Sequence, residues 1–133
     1  MTRYLLDTNT ISDFVRHPGG PVADRIRKLG AAAVCTSIIV AAVLRFGVEK
    51  RGSRKLAARV AEALGVLEVL PLQAPADAAY GVIRANLEKA GRPIAANDLL
   101  IAAHAISLGC TLVTDNERDF SRIRGLSAEN WLR

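Results

Sequence analysis

The segment Tyr4-Leu5-Leu6-Asp7-Thr8-Asn9 decides the fold expected for this chain. Its first three residues are typical of a short buried strand, and the polar residues Asp7 to Asn9 are typical of a turn at the end of that strand. From Thr10 onward the spacing of apolar residues changes to that of a helix, which we expect to begin there. A strand, a polar turn and a helix in this order form the first half of a β-α-β unit.

The same alternation of short apolar runs and helical periodicity continues along the chain. Further strands are predicted over 33–35, 67–70 and 111–114, and helices over 21–29, 37–50, 53–64, 75–90 and 97–108, with a helical turn over 118–120. Short apolar strands that alternate with helices indicate parallel pairing with both faces covered. The sequence therefore predicts one domain over 1–133, of the α/β class, with a mainly parallel central sheet flanked by helices on both faces.

Composition limits the possible functions only broadly. The chain has 133 residues, half of them hydrophobic, and a net charge of +5. This basic balance suits an anionic partner, either a nucleic acid or an acidic protein. The absence of a signal-peptide pattern and of an apolar run of about 18 residues predicts a soluble, cytoplasmic protein with no membrane association. Cys35 and Cys110 lie in apolar surroundings without metal-site spacing, so we expect small buried side chains.

Three carboxylates are expected at one edge of the sheet. Asp7 follows the first strand and Asp115 follows the strand over 111–114, while Asp98 lies in the first turn of the helix over 97–108. Ligands of open parallel sheets bind beyond the carboxyl ends of the strands, where all three acids would lie. Each acid also has a purely structural interpretation, as a helix cap, a turn residue or a charge that favours a helix N-terminus.

A cluster of carboxylates must hold either protons or a cation. Oxygen ligands without His or Cys suit Mg²⁺ or Mn²⁺, and such an ion can activate water against a phosphodiester. Neighbouring polar side chains could orient the acids or bound water. These candidates are Thr8, Asn9, Asn97, Thr114 and Asn116.

Two further interpretations concern other residues of the same region. A phosphatase or phosphoreceiver would use Asp7 as its nucleophile, but Asn9 stands where a phosphatase has its second acid, and no lysine follows the last strand. His104 follows Leu100 and Ile101 at helical spacing, which favours a place in the core over a catalytic role.

Taken together, the motifs of the chain resemble the PIN-domain toxins of the VapC type, the ribonuclease half of bacterial toxin–antitoxin pairs. The resemblance rests on Y-L-L-D-T-N-T-I-S, T-S-I-I-V-A-A-V-L-R-F-G, I-A-A-N-D-L-L-I-A-A-H-A, L-V-T-D-N-E-R-D-F and the terminal N-W-L. It implies an Mg²⁺- or Mn²⁺-dependent endoribonuclease, a VapB-type antitoxin as partner, and a homodimer that joins larger complexes with the antitoxin. Asp7, Asp98 and Asp115 match the family's acidic site, with Asp7 and Asp98 as principal metal ligands and Asp115 as a further metal ligand or a water-positioning acid. Asp119 matches a further acid.

The chain departs from the family pattern at Val43. The resembling proteins usually carry Glu in the middle motif, which reads A-E-L, whereas this chain reads A-V-L. Glu49 is no substitute, because six residues at about 100° each place it on another side of the helix. Loss of one carboxylate weakens attraction for a dication and relieves repulsion among the remaining acids. We therefore expect an attenuated or inactive ribonuclease, or a binding module that holds antitoxin and RNA without cutting.

Overall fold

A computed structural model of the chain describes residues 2–132. Its centre is a five-stranded sheet in which every strand pair is parallel. The strands are β1 (Tyr4–Leu6), β2 (Val34–Ser37), β3 (Glu68–Leu70), β4 (Thr111–Val113) and β5 (Ala128–Glu129), in the spatial order β3-β2-β1-β4-β5. The α/β class and the parallel sheet predicted from the sequence are confirmed.

Seven α-helices connect the strands within residues 2–132. They are α1 (Thr8–Arg16), α2 (Pro21–Leu29), α3 (Ile38–Arg51), α4 (Arg54–Val66), α5 (Ala76–Lys89), α6 (Ala96–Leu108) and α7 (Glu117–Phe120). The caps follow the sequence: Ser37 and Ser53 accept hydrogen bonds from the first turns of α3 and α4, and Gly52 and Gly109 end α3 and α6 in the left-handed conformation. None of these helices has the length and apolarity needed to cross a bilayer.

The start of α1 differs from the prediction. The helix begins at Thr8 rather than Thr10, because the Asp7 side chain caps it and draws Thr8 and Asn9 into the first helical turn. β5 is a second difference, since no strand is predicted near the chain's end. This two-residue strand pairs with β4, and the pairing comes from tertiary structure rather than from a local apolar run.

The crossovers place helices on both faces of the sheet. The chain moves from β1 through β2 to β3 in one direction and then returns past β1 to β4 and β5. Because such crossovers are right-handed, α1 to α4 cover one face and α5 to α7 cover the other. The core between them is aliphatic, with Phe120 and Trp131 as its largest buried side chains, and both cysteines are buried and free. β1 is the middle strand, so the residue that follows it lies at the centre of the carboxyl edge.

Candidate active site

Asp7 occupies the centre of the carboxyl edge of the sheet. Its backbone N–H donates to Val113 O over 3.0 Å, which continues the β1–β4 pairing by one residue. Its side chain turns to cap α1, where Oδ1 accepts a 3.0 Å hydrogen bond from the Thr10 backbone N–H. The extended backbone at Asp7 and the polar residues after it allow this cap to form. The residue is only 7% exposed.

Two sets of neighbours act on the pKa of the Asp7 carboxyl in opposite directions. Burial raises the pKa of the Asp7 carboxyl, and the negative charge of Asp115 acts in the same direction. Hydrogen bonds from Thr114 and Thr10 partly offset this rise in pKa by stabilising the ionised form. A buried carboxylate in this position gains from any cation that reaches it.

Asp98 is brought towards Asp7 by α6. It lies in the first turn of that helix and is half-buried. Its pKa is raised mainly by burial, and further by repulsion from Asp7 and Asp119. Asp98 therefore interacts with acids from two distant parts of the chain, one after β1 and one in α7. That these carboxylates act together as one site stays a prediction.

Two asparagines hold the acids that follow β4. Asn9 Nδ2 donates to Asp115 Oδ1 over 3.2 Å, which links the first turn of α1 to the end of β4. Asn116 Nδ2 donates to Asp119 Oδ2 over 3.0 Å. Each amide fixes the direction of a carboxylate that would otherwise turn freely towards solvent.

The remaining polar candidates divide into two groups. Thr114 is buried, bonds the Asp7 carboxylate and accepts a 3.0 Å hydrogen bond from the Asn116 backbone N–H. Thr8 is half-buried in the first turn of α1, one residue beyond Asp7. Asn97, in contrast, is exposed, and within residues 2–132 its amide bonds none of the four acids. Its position beside Asp98 in the sequence does not make it part of the hydrogen-bonded site.

Thr10 and Arg122 belong to the site although neither is among the residues selected from the sequence. The Thr10 hydroxyl is buried and donates to Val113 O over 3.1 Å, so Thr10 ties α1 to β4 beneath Asp7. The sequence feature that could have identified Thr10 is its position three residues after the N-cap residue Asp7. Arg122 Nη1 lies 3.4 Å from Asp119 Oδ1. Its signal is only a spacing of three residues from that acid.

Val43 lies beside this site, on the middle of α3. Its half-buried side chain lines a groove of about 280 Å³ between α1, α3 and α4, together with Thr8, Ser12 and Arg16. Thr8 directly follows Asp7, so residue 43 faces the first turn of α1. No Asp or Glu lines this groove. At position 43, where the resemblance leads us to expect Glu, this chain therefore presents only an aliphatic side chain.

The acids fit a hard dication by chemistry but do not form a complete metal cage. Their ligands are carboxylate oxygens that repel one another, which suits Mg²⁺ or Mn²⁺. Yet no group of three or more His, Cys, Asp or Glu side chains in residues 2–132 is arranged to hold a metal ion. Asp7 and Asp98 are the residues that would hold such an ion, and a Glu at position 43 would approach from α3.

Comparison with known proteins agrees with this fold. The sequence matches the family model of the PIN domain over residues 4–126. Ribonuclease VapC2 of Haemophilus influenzae is 37% identical over 134 residues, covering 99% of this chain and 100% of the relative. The tRNA(fMet)-specific endonuclease VapC of Shigella flexneri is 34% identical and covers 98% of this chain and 99% of the relative.

Solved structures lead to the same class. VapBC2 of Rickettsia felis, bound to a DNA fragment from its promoter, has a chain with a TM-score of 0.89 and 35% identity, covering 98% of this chain and 99% of that chain. The DNA-bound VapBC of Salmonella typhimurium gives a TM-score of 0.90 at 35% identity, with the same coverage. The chain therefore belongs to the PIN-domain family, and within that family to the VapC type.

Proposed function

We propose that this chain is the toxin component of a type II toxin–antitoxin pair, built as an Mg²⁺- or Mn²⁺-dependent endoribonuclease and attenuated or inactive because Val43 replaces a carboxylate. The observation that carries the proposal is the position of Asp7 directly after β1, the central strand of a PIN fold, where its charge acts on Asp98 in the first turn of α6. Relatives covering the whole chain are named as ribonucleases and as a tRNA endonuclease, which supports RNA as the substrate.

The four acids have separate roles in this proposal. Asp7 and Asp98 hold the dication, since they are the acids whose pKa values are raised by burial and by neighbouring carboxylates. A bound dication supplies Lewis-acid stabilisation of the phosphodiester and a more acidic water. Asp115, held by Asn9, positions or accepts a proton from the attacking water. Asp119, held between Asn116 and Arg122, completes the negative charge of the site.

Val43 weakens this arrangement in two ways. It removes one anion from the attraction for the dication, and it removes an oxygen that could orient water from the α3 side. Its effect on the fold is the opposite, since a methyl-bearing side chain in a groove adds no repulsion to the neighbouring acids. In this proposal the chain keeps the fold of the ribonuclease but binds the dication and orients water less well.

A second candidate is a binding module that recognises antitoxin and RNA without cleavage, and Val43 is the observation that favours it. In both candidates we propose a VapB-type antitoxin as the partner, because the similar solved chains come from VapBC and FitAB complexes. We also propose a homodimer that assembles further with the antitoxin, acting in the cytoplasm where its RNA substrate would be met.

The decisive experiment compares cleavage of a mixed RNA pool by the chain and by Val43→Glu, each with Mg²⁺ and with Mn²⁺. We expect strong metal-dependent cleavage only from Val43→Glu. Val43→Gln is the control for side-chain size, and Val43→Glu/Asp98→Asn is the control for contaminating nuclease; neither should cleave strongly. Equal, strong cleavage by the chain and by Val43→Glu would refute the attenuation. Binding of RNA or antitoxin with no cleavage by either protein would favour the binding module.

A further inference from the structure

A pocket of about 550 Å³ opens between α5 and the segment that follows α7. This volume lies within the range of about 300–1,000 Å³ typical of small-ligand sites, which is enough room for a nucleotide. We call it the arginine pocket. It is lined by Val82, Ile83, Asn86, Leu87, Ala90, Arg92, Arg122, Ile123 and Arg124.

The charge of the arginine pocket has one sign. Three arginines line it and no Asp or Glu does. Arg92 and Arg124 are exposed, and in residues 2–132 neither side chain forms an ion pair. Arg84, on the neighbouring surface of α5, is by contrast paired with Glu88 over 2.9 Å. Two unneutralised guanidinium groups around one cavity form a site for an anion with several phosphates.

The arginine pocket adjoins the acidic site through Arg122. Arg122 lines the pocket, and its Nη1 lies 3.4 Å from Asp119 Oδ1; the charge of Asp119 in turn acts on Asp98. On the other side, Arg92 stands shortly before α6, the helix whose first turn carries Asp98. A polyanion bound in the pocket would therefore extend next to the acidic site.

We infer that the arginine pocket binds a single-stranded segment of RNA next to the bond presented to the acidic site, with Arg92 and Arg124 on its phosphates. This inference rests on the proposed function and adds the path of the substrate. The pocket floor is apolar, formed by Ile83, Leu87 and Ile123, and can receive the face of an unstacked base. Asn86 offers an amide to a base edge. An acidic peptide would match the charge as well, but RNA is favoured because Arg122 of the pocket lies 3.4 Å from Asp119 of the proposed phosphodiester site.

The positive charge of the pocket can also offset the repulsion between the acidic site and the phosphates of RNA. Carboxylates repel the phosphates of RNA, so the substrate needs cations close to, but outside, the reacting position. Arg92 and Arg124 supply them without neutralising the acids. They are binding residues, and Arg122 is a positioning residue that joins the two regions.

The test measures binding of a fluorescent 12-nucleotide single-stranded RNA in EDTA, across a salt series. Arg92→Gln/Arg124→Gln removes two charges from the pocket, and Lys28→Gln/Lys55→Gln removes two exposed charges from α2 and α4. Because the pocket variant can no longer neutralise two phosphates, its slope of log affinity against log salt should become shallower by about 1.4. This difference is about a 25-fold change in the affinity ratio between 1 M and 0.1 M salt. Arg92→Lys/Arg124→Lys and the Lys28/Lys55 variant should keep the original slope.

An equal decrease in the Lys28/Lys55 variant would overturn the inference, because binding would then follow net charge alone. So would a pocket variant that loses affinity for poly-glutamate but not for RNA. In the Val43→Glu background, cleavage with an unchanged KM after both arginines become Gln would reject the pocket and leave the ribonuclease standing. Absence of RNA binding and cleavage in every variant would reject both.

Discussion

His104 Nδ1 lies 2.8 Å from Ser37 Oγ, although 67 residues separate the two in the chain. Both are buried, and the same Ser37 hydroxyl accepts a 3.1 Å hydrogen bond from the Ile39 backbone N–H. Burial lowers the pKa of His104, so the ring is held neutral. The contact joins α6, which carries Asp98, to the start of α3, which carries Val43. This hydrogen-bonded contact holds α3 and α6 in a fixed position relative to each other.

Removing this hydroxyl should destabilise the fold. Ser37→Ala removes the cap of α3 and leaves the imidazole nitrogen unpaired in the interior, so we expect a loss of about 1–3 kcal/mol in the free energy of unfolding. Ser53→Ala removes only the comparable cap of α4 and should cost about 1 kcal/mol. Urea unfolding of both variants measures the difference. Equal losses would show that the contact with His104 adds nothing.

Asp7 should prove to have two separable roles, one in the fold and one in the chemistry. Asp7→Asn and Asp7→Ala both remove the carboxylate, but Asn can still cap α1. In the Val43→Glu background we expect both to abolish cleavage, while Asp7→Ala alone loses about 1 kcal/mol of stability relative to Asp7→Asn. Thermal melts paired with RNA cleavage check this. Similar stability of the two variants would argue against the cap.

Because of Asp98, the stability of the metal-free protein should decrease as the pH rises. Its pKa is raised in the folded chain, so the folded state holds a proton that the unfolded state has lost. Its contribution is fully present below the unfolded pKa, near 3.8, and is lost as the pH rises through the folded pKa. Asp98→Asn should remove this loss and raise Tm at pH 7 by about 2 °C, a small value because the group is half-exposed and screened by solvent.

Asp77→Asn is the matched control for this measurement, since Asp77 is an exposed acid in the first turn of α5. It should not reproduce the rise in Tm at pH 7 expected for Asp98→Asn. A decrease of Tm at pH 7 in Asp98→Asn would contradict the raised pKa.

The Asn9–Asp115 hydrogen bond should matter for activity and little for stability. In the Val43→Glu background, Asn9→Ala frees Asp115 to rotate, and we expect cleavage to fall by about 10- to 100-fold, as is common when the partner of a site carboxylate is removed. Asn97→Ala removes the same side chain from an exposed position without such a bond. Rates of RNA cleavage separate the two. A comparable fall in both would mean that orientation of Asp115 is not the cause.

Restoring a carboxylate at position 43 should also change stability. In Val43→Glu a carboxylate replaces a half-buried aliphatic side chain near the first turn of α1, and Arg16 and Arg51 in the same groove offset only part of its desolvation cost. The metal-free protein should therefore melt at a lower temperature than the parent chain. Mn²⁺ at 100 times its Kd should then stabilise Val43→Glu by about 2.7 kcal/mol. Val43→Gln controls for size and polarity; it should not melt at the lower temperature, and the same Mn²⁺ concentration should stabilise it less than Val43→Glu. Calorimetry with and without Mn²⁺ records both.

Local sequence patterns predicted most of the fold because each element carries its own signals. The apolar run of β1, the serine caps of α3 and α4 and the glycine after α6 are all read within a few residues. The predicted start of α1 was wrong by two residues because Asp-Thr-Asn suits both a turn and a capped first helical turn. Only the direction of the Asp7 side chain distinguishes these. β5 could not be predicted, since its pairing depends on a distant strand.

The site was predictable as a set of residue types and less so as a set of contacts. Asp7, Asp98 and Asp115 follow from strand ends and a helix start, because parallel strands share one carboxyl edge. The bonds of Asn9 and Asn116, and the lack of one at Asn97, depend on side-chain directions that spacing does not specify. The arginine pocket was missed for the same reason: its cations come from two segments that only the folded chain brings together.

The placement of residue 43 has a consequence for how such a protein can change. Asp7 caps α1 and continues the strand pairing, and under the proposed function it also holds the metal ion, so Asp7→Ala should harm the folded chain as well as the reaction. The side chain of residue 43 neither caps α3 nor forms a hydrogen bond within it, and an aliphatic side chain is well accommodated in its groove. Under the proposed function, a toxin of this fold can therefore lose its activity through a change in α3 that leaves the helix cap and the strand pairing of Asp7 in place.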